Sequence, residues 1–262
     1  MDWFDDRYQI NKSSITIAHF TDCHLFAHNS GEYFAVNTSQ ALKQTLKDIK
    51  TNKPDLAIFG GDLTQDHTIA SYERFVDLIQ SEELDFPVFW LPGNHDELEM
   101  FTAAFKEQSN LLNHKCIDTA HFQILLLNSK SETPSGFISN TKLMEIKKQV
   151  NGSEKPTIIF AHHHPLKVEG YIDKHILTNG EQLLTQLSQT HKVPLYVHGH
   201  VHNEYDRSYK GIDIYATPAT SIQFKKSTTD WQQENLGAGY RLININEQGE
   251  LNTQVIWVKI HD

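Results

Sequence analysis

Val88-Phe89-Trp90-Leu91-Pro92-Gly93-Asn94-His95-Asp96 is the stretch on which the fold turns. Four large apolar residues in a row, closed by a Pro-Gly turn, read as a short buried strand. Directly after the turn come an amide, an imidazole and a carboxylate. The same pattern recurs along the chain. Ile15–Phe20 runs into Thr21-Asp22-Cys23-His24, and Leu56–Phe59 into Gly60-Gly61-Asp62. Thr157–Ala161 runs into His162-His163-His164-Pro165, and Leu195–Val197 into His198-Gly199-His200-Val201-His202. Phe122–Leu127 reads as a further strand without such an ending.

Helical patterns lie between these strands. Thr38–Lys50 carries Leu42, Leu46 and Ile49 on one face, with Thr38 or Ser39 as N-cap. Ser71–Ser81, Asn140–Val150 and Asn179–Gln189 show the same spacing through Phe75, Leu78 and Ile79, through Leu143, Ile146 and Val150, and through Leu183, Leu184 and Leu187. After Glu204 the period changes to strands, Asp206–Ala216 and Tyr240–Lys259, turning at Lys210-Gly211 and Glu247-Gln248-Gly249. Strand–helix alternation with a strand-rich tail predicts an α/β fold with mixed sheets covered by helices. No composition break marks a linker, so residues 1–262 are expected to form one domain.

The balance of 23 Lys and Arg against 33 Asp and Glu gives a net charge of −10. Such a surface repels nucleic-acid backbones and anionic lipid, which argues against both as partners. At 39% apolar residues the chain has ample core material, and disorder is excluded for the bulk. Cys23 and Cys116 are too few for a disulfide scaffold and suggest a reducing compartment. The polar, acidic start from Met1 to Ser14 lacks the pattern of a signal peptide, and no run reaches the ~20 apolar residues of a membrane span. A cytoplasmic protein is expected. Sixteen histidines are the oddity.

In α/β sheets, loops at the carboxyl ends of strands converge on one crevice, so the five polar clusters should meet. Taken singly, each has an ordinary explanation. Asp22 and His24 suit a capped turn, Gly60-Gly61-Asp62 a tight turn with an Asx cap, and His95-Asp96 the opening of a helix. His200 and His202, alternate residues of an extended segment, would share one face of a strand edge. Five strands ending in ligand types, three with glycine alongside, outweigh these explanations together. Carboxylate, imidazole and amide suit Mn, Fe, Zn or Co rather than a thiolate-type site. His19 reads as a satisfied core histidine. His28, His67, His114, His121, His175, His191 and His261 read as surface or turn residues. Cys23 is expected to face away from the site, and Cys116 and Trp90 to pack in the core.

Asp22-x-His24, Gly61-Asp62, Gly93-Asn94-His95-Asp96, a histidine after a buried strand, and Gly199-His200-x-His202, in that order, resemble the calcineurin-like metallophosphoesterase superfamily. Further segments are similar to its bacterial class III 3′,5′-cyclic-AMP phosphodiesterases, among them His24-Leu25-Phe26-Ala27, Asp173-Lys174-His175 and the run Ala216–Lys225. The resemblance spans about Ile15 to Trp257. It implies a four-layer fold, two mixed β-sheets packed as a sandwich and flanked by helices. It also implies two divalent ions, iron or manganese first and zinc or cobalt next. Asp22, His24 and His202 would hold one, Asp62 would bridge, and Asn94, His162 and His200 would complete the other. His162-His163-His164 offers three candidates, of which the first directly continues the strand. His198 is expected not to ligate.

The implied reaction is hydrolysis of 3′,5′-cyclic AMP to 5′-AMP by a metal-bridging hydroxide. His24, Asp62, Asn94, His95 and His202 would also face this small cyclic nucleotide. His95, not needed as a ligand, is placed to protonate the leaving alkoxide. Asp96 either orients it or caps a helix. Another phosphoester (a glycerophosphodiester, nucleotide pyrophosphate or phosphomonoester) would use the same site. A non-catalytic metal-binding interaction module is opposed by the intact ligand set. Base recognition and oligomeric state carry no signal in the sequence.

Overall fold

The computed structural model describes residues 3–259; His261 and the first two residues, for which the sequence raised expectations, lie outside them. Two large mixed sheets face each other. One has six strands in the order Leu251–Val258, Ala238–Ile245, Ile15–Phe20, Leu56–Phe59, Val88–Trp90 and Leu111–Leu112. The other has seven: Arg7–Gln9, Cys116–Asp118, Gln123–Leu126, Thr157–Ala161, Leu195–His198, Ile212–Ala216 and Tyr205–Tyr209.

Side-chain alternation explains the layering. Ile15, Ile17, Leu56 and Ile58 turn to the inner face and meet Ile124, Leu126, Ile158, Phe160, Leu195 and Val197 of the other sheet. The intervening residues Ala18, Phe20, Ala57 and Phe59 face outward onto Leu42, Leu46, Phe75 and Phe101 of the helices Thr38–Thr51, Ile69–Ser81 and Leu98–Phe105. Leu125, Ile159, Ala161 and Tyr196 do the same on the opposite side, against Ile146, Val150, Leu183 and Leu187 of the helices Asn140–Gly152 and Gly180–Ser188. Helix, sheet, sheet, helix is thus the consequence of strands apolar on both faces.

The first cap is Asn37 rather than Thr38 or Ser39, and the second helix begins at Ile69, two residues before the expected start. Asn37 Oδ1 accepts from Gln40 N, and Thr68 Oγ1 from Ser71 N. Leu98–Phe105 is a helix the apolar spacing did not reveal; with eight residues and no side-chain cap it is too short to show a period.

The strands that end in polar clusters are neighbours. Phe20 pairs with Phe59 and Phe59 with Trp90, all parallel, so three chains leave the first sheet side by side. Ala161 pairs with His198 in the second sheet, again in parallel. The two sets of carboxyl ends open on the same side of the sandwich, where His200 N donates to Asp22 Oδ2 at 3.0 Å across the sheets.

Candidate active site

Seven side chains converge there. His202 Nε2 lies 3.2 Å from Asp22 Oδ1 and 3.1 Å from His24 Nε2. His162 Nε2 lies 3.3 Å from Asp62 Oδ2, 3.2 Å from Asn94 Oδ1 and 3.2 Å from His200 Nδ1. Asp62 Oδ2 is also 3.7 Å from His24 Nε2, between the two groups. Asp22, His24, Asp62, His162, His200 and His202 are all buried.

The outward-facing ring nitrogens fix the tautomers. His24 Nδ1 meets Gln65 Oε1 at 2.8 Å, His202 Nδ1 meets the Ile222 carbonyl at 2.9 Å, and His162 Nδ1 meets the Gly60 carbonyl at 2.8 Å. His200 Nε2 meets the His175 carbonyl at 3.0 Å. A carbonyl oxygen cannot donate, so each of these nitrogens carries the proton, and in a neutral ring the inner nitrogen is a lone pair. In their neutral forms the four rings therefore point lone pairs at one another and at carboxylate and amide oxygens. Asp22 Oδ1 has no hydrogen-bond donor among the described residues. Two carboxylates, four imidazoles and an amide oxygen this close make a candidate cation site, and the residues present fit divalent metals with N/O preference.

Electrostatics agree. Burial opposes ionisation of Asp22 and Asp62, yet His202 and His162 at the first, and His162 and His95 at the second, hold both below the usual carboxylate range. Burial likewise works against a cation at His162, but Asp62 and Asp22 outweigh it and lift that imidazole to about 9. Burial wins at His24, lowered to about 3, and at His200, so these rings stay neutral. The cluster draws positive charge to its middle.

The backbone is bent to make this possible. Asp22 (φ 56°), His24 (φ 45°), Asp62 (φ 55°), His200 (φ 67°) and His202 (φ 46°) all occupy the left-handed region. Each such residue costs ~1–3 kcal/mol and persists because the surroundings over-determine it. His200-Val201-His202 is consequently a tight loop and not an extended edge; both imidazoles reach the site by left-handed turns. The same turns at Asp22 and His24 send Cys23 into the core, away from the cluster as expected. Glycine is required at Gly93, where a Cβ would lie 2.2 Å from Asp62 Oδ1, and at Gly199, where it would lie 2.3 Å from Thr21 Oγ1.

Residues 15–204 match the calcineurin-like phosphoesterase family. The chain belongs to that family. It is 45% identical over 261 residues to a probable cyclic nucleotide phosphodiesterase of Pseudoalteromonas, covering 98% of this chain and 99% of the relative. It is 33% identical to a 3′,5′-cyclic adenosine monophosphate phosphodiesterase of Vibrio vulnificus (94% and 91% covered) and 31% identical to one of Escherichia coli (93% and 90% covered). Among solved structures, a dimetal phosphatase from Danio rerio superposes with a TM-score of 0.64 at 12% identity, over 94% of this chain and 99% of that one. The four-layer metallophosphoesterase fold and the membership predicted from the motifs are both borne out.

For this metallophosphoesterase the structure also revises several readings of single residues. Asp96 does not orient the His95 ring. Its oxygens accept the backbone N–H groups of Asp62, Leu63 and Gly93, each at 2.8 Å, and so tie the loops that carry Asp62 and Asn94 together. Nor does His95-Asp96 open a helix; Glu97 is the N-cap. The His95 backbone N–H donates to Asp62 Oδ1 at 2.9 Å, and the ring stands edge-on to His24 with centroids 4.8 Å apart. Burial, opposed by Asp62, lowers the His95 pKa. Of the triple histidine, His163 engages Ser129 Oγ and the Pro134 carbonyl, and His164 engages Asp173; His162 faces Asp62 and Asn94. His19 is satisfied at Nδ1 by Thr217 Oγ1 but has no partner at Nε2. His28 and His191 are exposed as expected. His67 and His175 are not bystanders. His67 stacks on His95 with rings 4° from parallel, and His175 lines the cavity while its carbonyl holds His200.

The cluster forms the floor of a cavity of about 330 Å³. Above it stand Tyr33, Phe34, Tyr171, Phe224 and Trp231, of which only Phe224 falls in a motif segment of the resemblance, the run Ala216–Lys225. They come from short hairpins and a 3-10 turn, and no sequence signal short of the folded chain brings them together.

Proposed function

We propose that this chain is a dinuclear metal phosphodiesterase that hydrolyses 3′,5′-cyclic AMP to 5′-AMP. The single observation that carries the proposal is the convergence of two carboxylates, four imidazoles and an amide oxygen, divided by Asp62 into two groups. Asp22, His24 and His202 would hold one divalent ion, Asn94, His162 and His200 the other, with Asp62 shared. Iron or manganese is the assigned pair, and zinc or cobalt suits the same donors. Bound there, the ions would supply an activated water and the positive charge that offsets the phosphoryl oxygens. The protein's own part is to hold those ligands as lone pairs, through Gln65, Ile222, Gly60 and His175, and to place an acid. His95 is that acid: it borders the floor and is not needed as a ligand.

The names of the full-length relatives support the cyclic nucleotide as substrate, and the aromatic rim favours a nucleoside-sized diester over a glycerophosphodiester. Cys23 and Cys116, free and buried, fit work in the reducing cytoplasm. No helix among the described residues is long and apolar enough to cross a membrane. The decisive experiment is a panel on metal-loaded protein: 3′,5′-cyclic AMP, 3′,5′-cyclic GMP, 2′,3′-cyclic AMP, ATP and glycerophosphocholine. Highest kcat/KM on a 3′,5′-cyclic nucleotide is expected. Preference for ATP or glycerophosphocholine would replace the substrate and keep the centre; inactivity on all five, with metal bound, would remove the enzyme reading.

A further inference from the structure

The aromatic rim is built to a plan. Two short hairpins border the cavity, Glu32–Tyr33 paired with Val36–Asn37, and Gln223–Phe224 paired with Gln233–Glu234. Each is seated on the floor by one aromatic ring stacked on one imidazole. Tyr33 lies 4.9 Å from His24 with rings 22° from parallel, and Phe224 lies 4.2 Å from His202 at 1°. The hairpins then meet across the mouth, where Phe34 and Trp231 stand 4.2 Å apart, centroid to centroid. Phe34 is 49% exposed although it is a large apolar side chain.

The turn that carries Phe34 is unusual. Phe34 and Ala35 have φ of 48° and 63°, the left-handed pair of a type I′ turn, a place that Asn-Gly normally fills. A bulky residue at positive φ is an outlier, and such strain is kept where a side chain must be aimed. The ring it aims serves no core: it faces the cavity. From His24 to Phe34 the path is two ring contacts, 4.9 Å and then 4.8 Å, so the Phe34 ring stands beyond Tyr33 from the floor.

We propose that Phe34 and Trp231 form the wall on which the nucleobase of the substrate stacks, while its phosphate lies on the floor. This rests on the cyclic-nucleotide reading above. Every base has a π-face, so an aromatic wall gives affinity without a hydrogen-bond code.

The test compares 3′,5′-cyclic AMP with a base-free control, 1-O-methylribofuranose 3′,5′-cyclic phosphate, on the metal-loaded protein. Phe34→Ala and Trp231→Ala should each raise KM for cyclic AMP about tenfold, and the double variant up to about a hundredfold, the range that base–aromatic stacking commands. The base-free diester should be hydrolysed by all of them as by the unaltered protein. Phe34→Tyr and Trp231→Phe, which keep a π-face, should keep the KM for cyclic AMP. If the unaltered protein prefers cyclic AMP and the double variant prefers it equally, the wall is overturned and the substrate reading stands. If the unaltered protein turns over both diesters equally, or only the base-free one, the nucleotide reading falls and takes the wall with it. A double variant that loses both substrates alike would mean that the rim shapes the floor, which also overturns the proposal.

Discussion

At the floor of the cavity, Asp22, Asp62, His24, His162, His200 and His202 are buried, and every ring is pinned from behind by a carbonyl or amide oxygen. At the rim, Phe34 is half exposed, and the aromatic rings are held by stacking on one another. The floor issues from the carboxyl ends of five central strands, whose registers coincide. The rim issues from hairpins of two paired residues per arm. The difference is one of tolerance. Ions need donor atoms placed to within tenths of an ångström, and sheet register can supply that. A stacked base tolerates sliding, and small hairpins suffice.

The largest break is expected at the shared carboxylate. Asp62→Ala should abolish turnover and lower content of both ions, well beyond the ~10–100-fold cost of losing an outer partner. Elemental analysis with a parallel assay checks this. A variant that kept its metal and its rate would show that the two groups of ligands do not share Asp62.

Next comes the group that spans floor and rim. His95→Ala should slow cyclic AMP hydrolysis by ~10²–10⁴-fold with both ions retained. A diester with a nitrophenol leaving group departs without a proton, so the same variant should lose far less on it. Equal losses on both would make His95 a positioning residue instead.

The same contrast governs what could be read from sequence. The floor was legible because buried strands announce themselves by composition and end abruptly in polar residues; Gly60-Gly61-Asp62 alone reads as a turn, and only the recurrence after five strands marks it. The way His200 and His202 reach the site was not legible. Left-handed backbone at a histidine is imposed by the neighbouring sheets, and local preference opposes it. Gln65 and Asp96 were hidden for a related reason: the first serves His24 through one amide oxygen, and the second serves the loop backbone. Phe34-Ala35 carried no turn signal at all, since the residues that favour that turn are absent. His67 is exposed as expected yet stacks on His95, and the part His175 plays was hidden because what it holds lies 25 residues away in the chain.

A third experiment sharpens the boundary between the regions. Gln65→Leu removes the acceptor of the His24 Nδ1 proton, 2.8 Å away, and frees the ring to turn or change tautomer. Metal affinity should fall by ~10–100-fold. Phe34→Ala, at the rim, should leave metal affinity as it is. Titration of metal-stripped protein measures both, and equal loss in the two variants would mean that rim and floor are one mechanical unit.

The smallest effect is expected beneath the floor, where burial lacks the partners that the ligands have. Lys115 is 3% exposed, donates to the Trp90 carbonyl at 2.6 Å and lies 3.2 Å from the centre of the Trp90 ring. Burial alone pushes its amine well below the ordinary 10.5. Proton counting sets the sign. As pH falls through the ordinary lysine value, the unfolded chain takes up a proton that the folded chain refuses, so stability declines from there down to the lowered folded value. Lys115→Met removes this decline. It also removes the hydrogen bond to Trp90, a loss of about 1 kcal/mol that does not depend on pH. The measurable quantity is therefore the gap in Tm between variant and unaltered protein, which should grow in the variant's favour from pH 9 to pH 6. A gap constant across that range would show that Lys115 is charged in the fold, held by the face of Trp90 as a cation–π pair, and that even under the floor a buried charge has its partner.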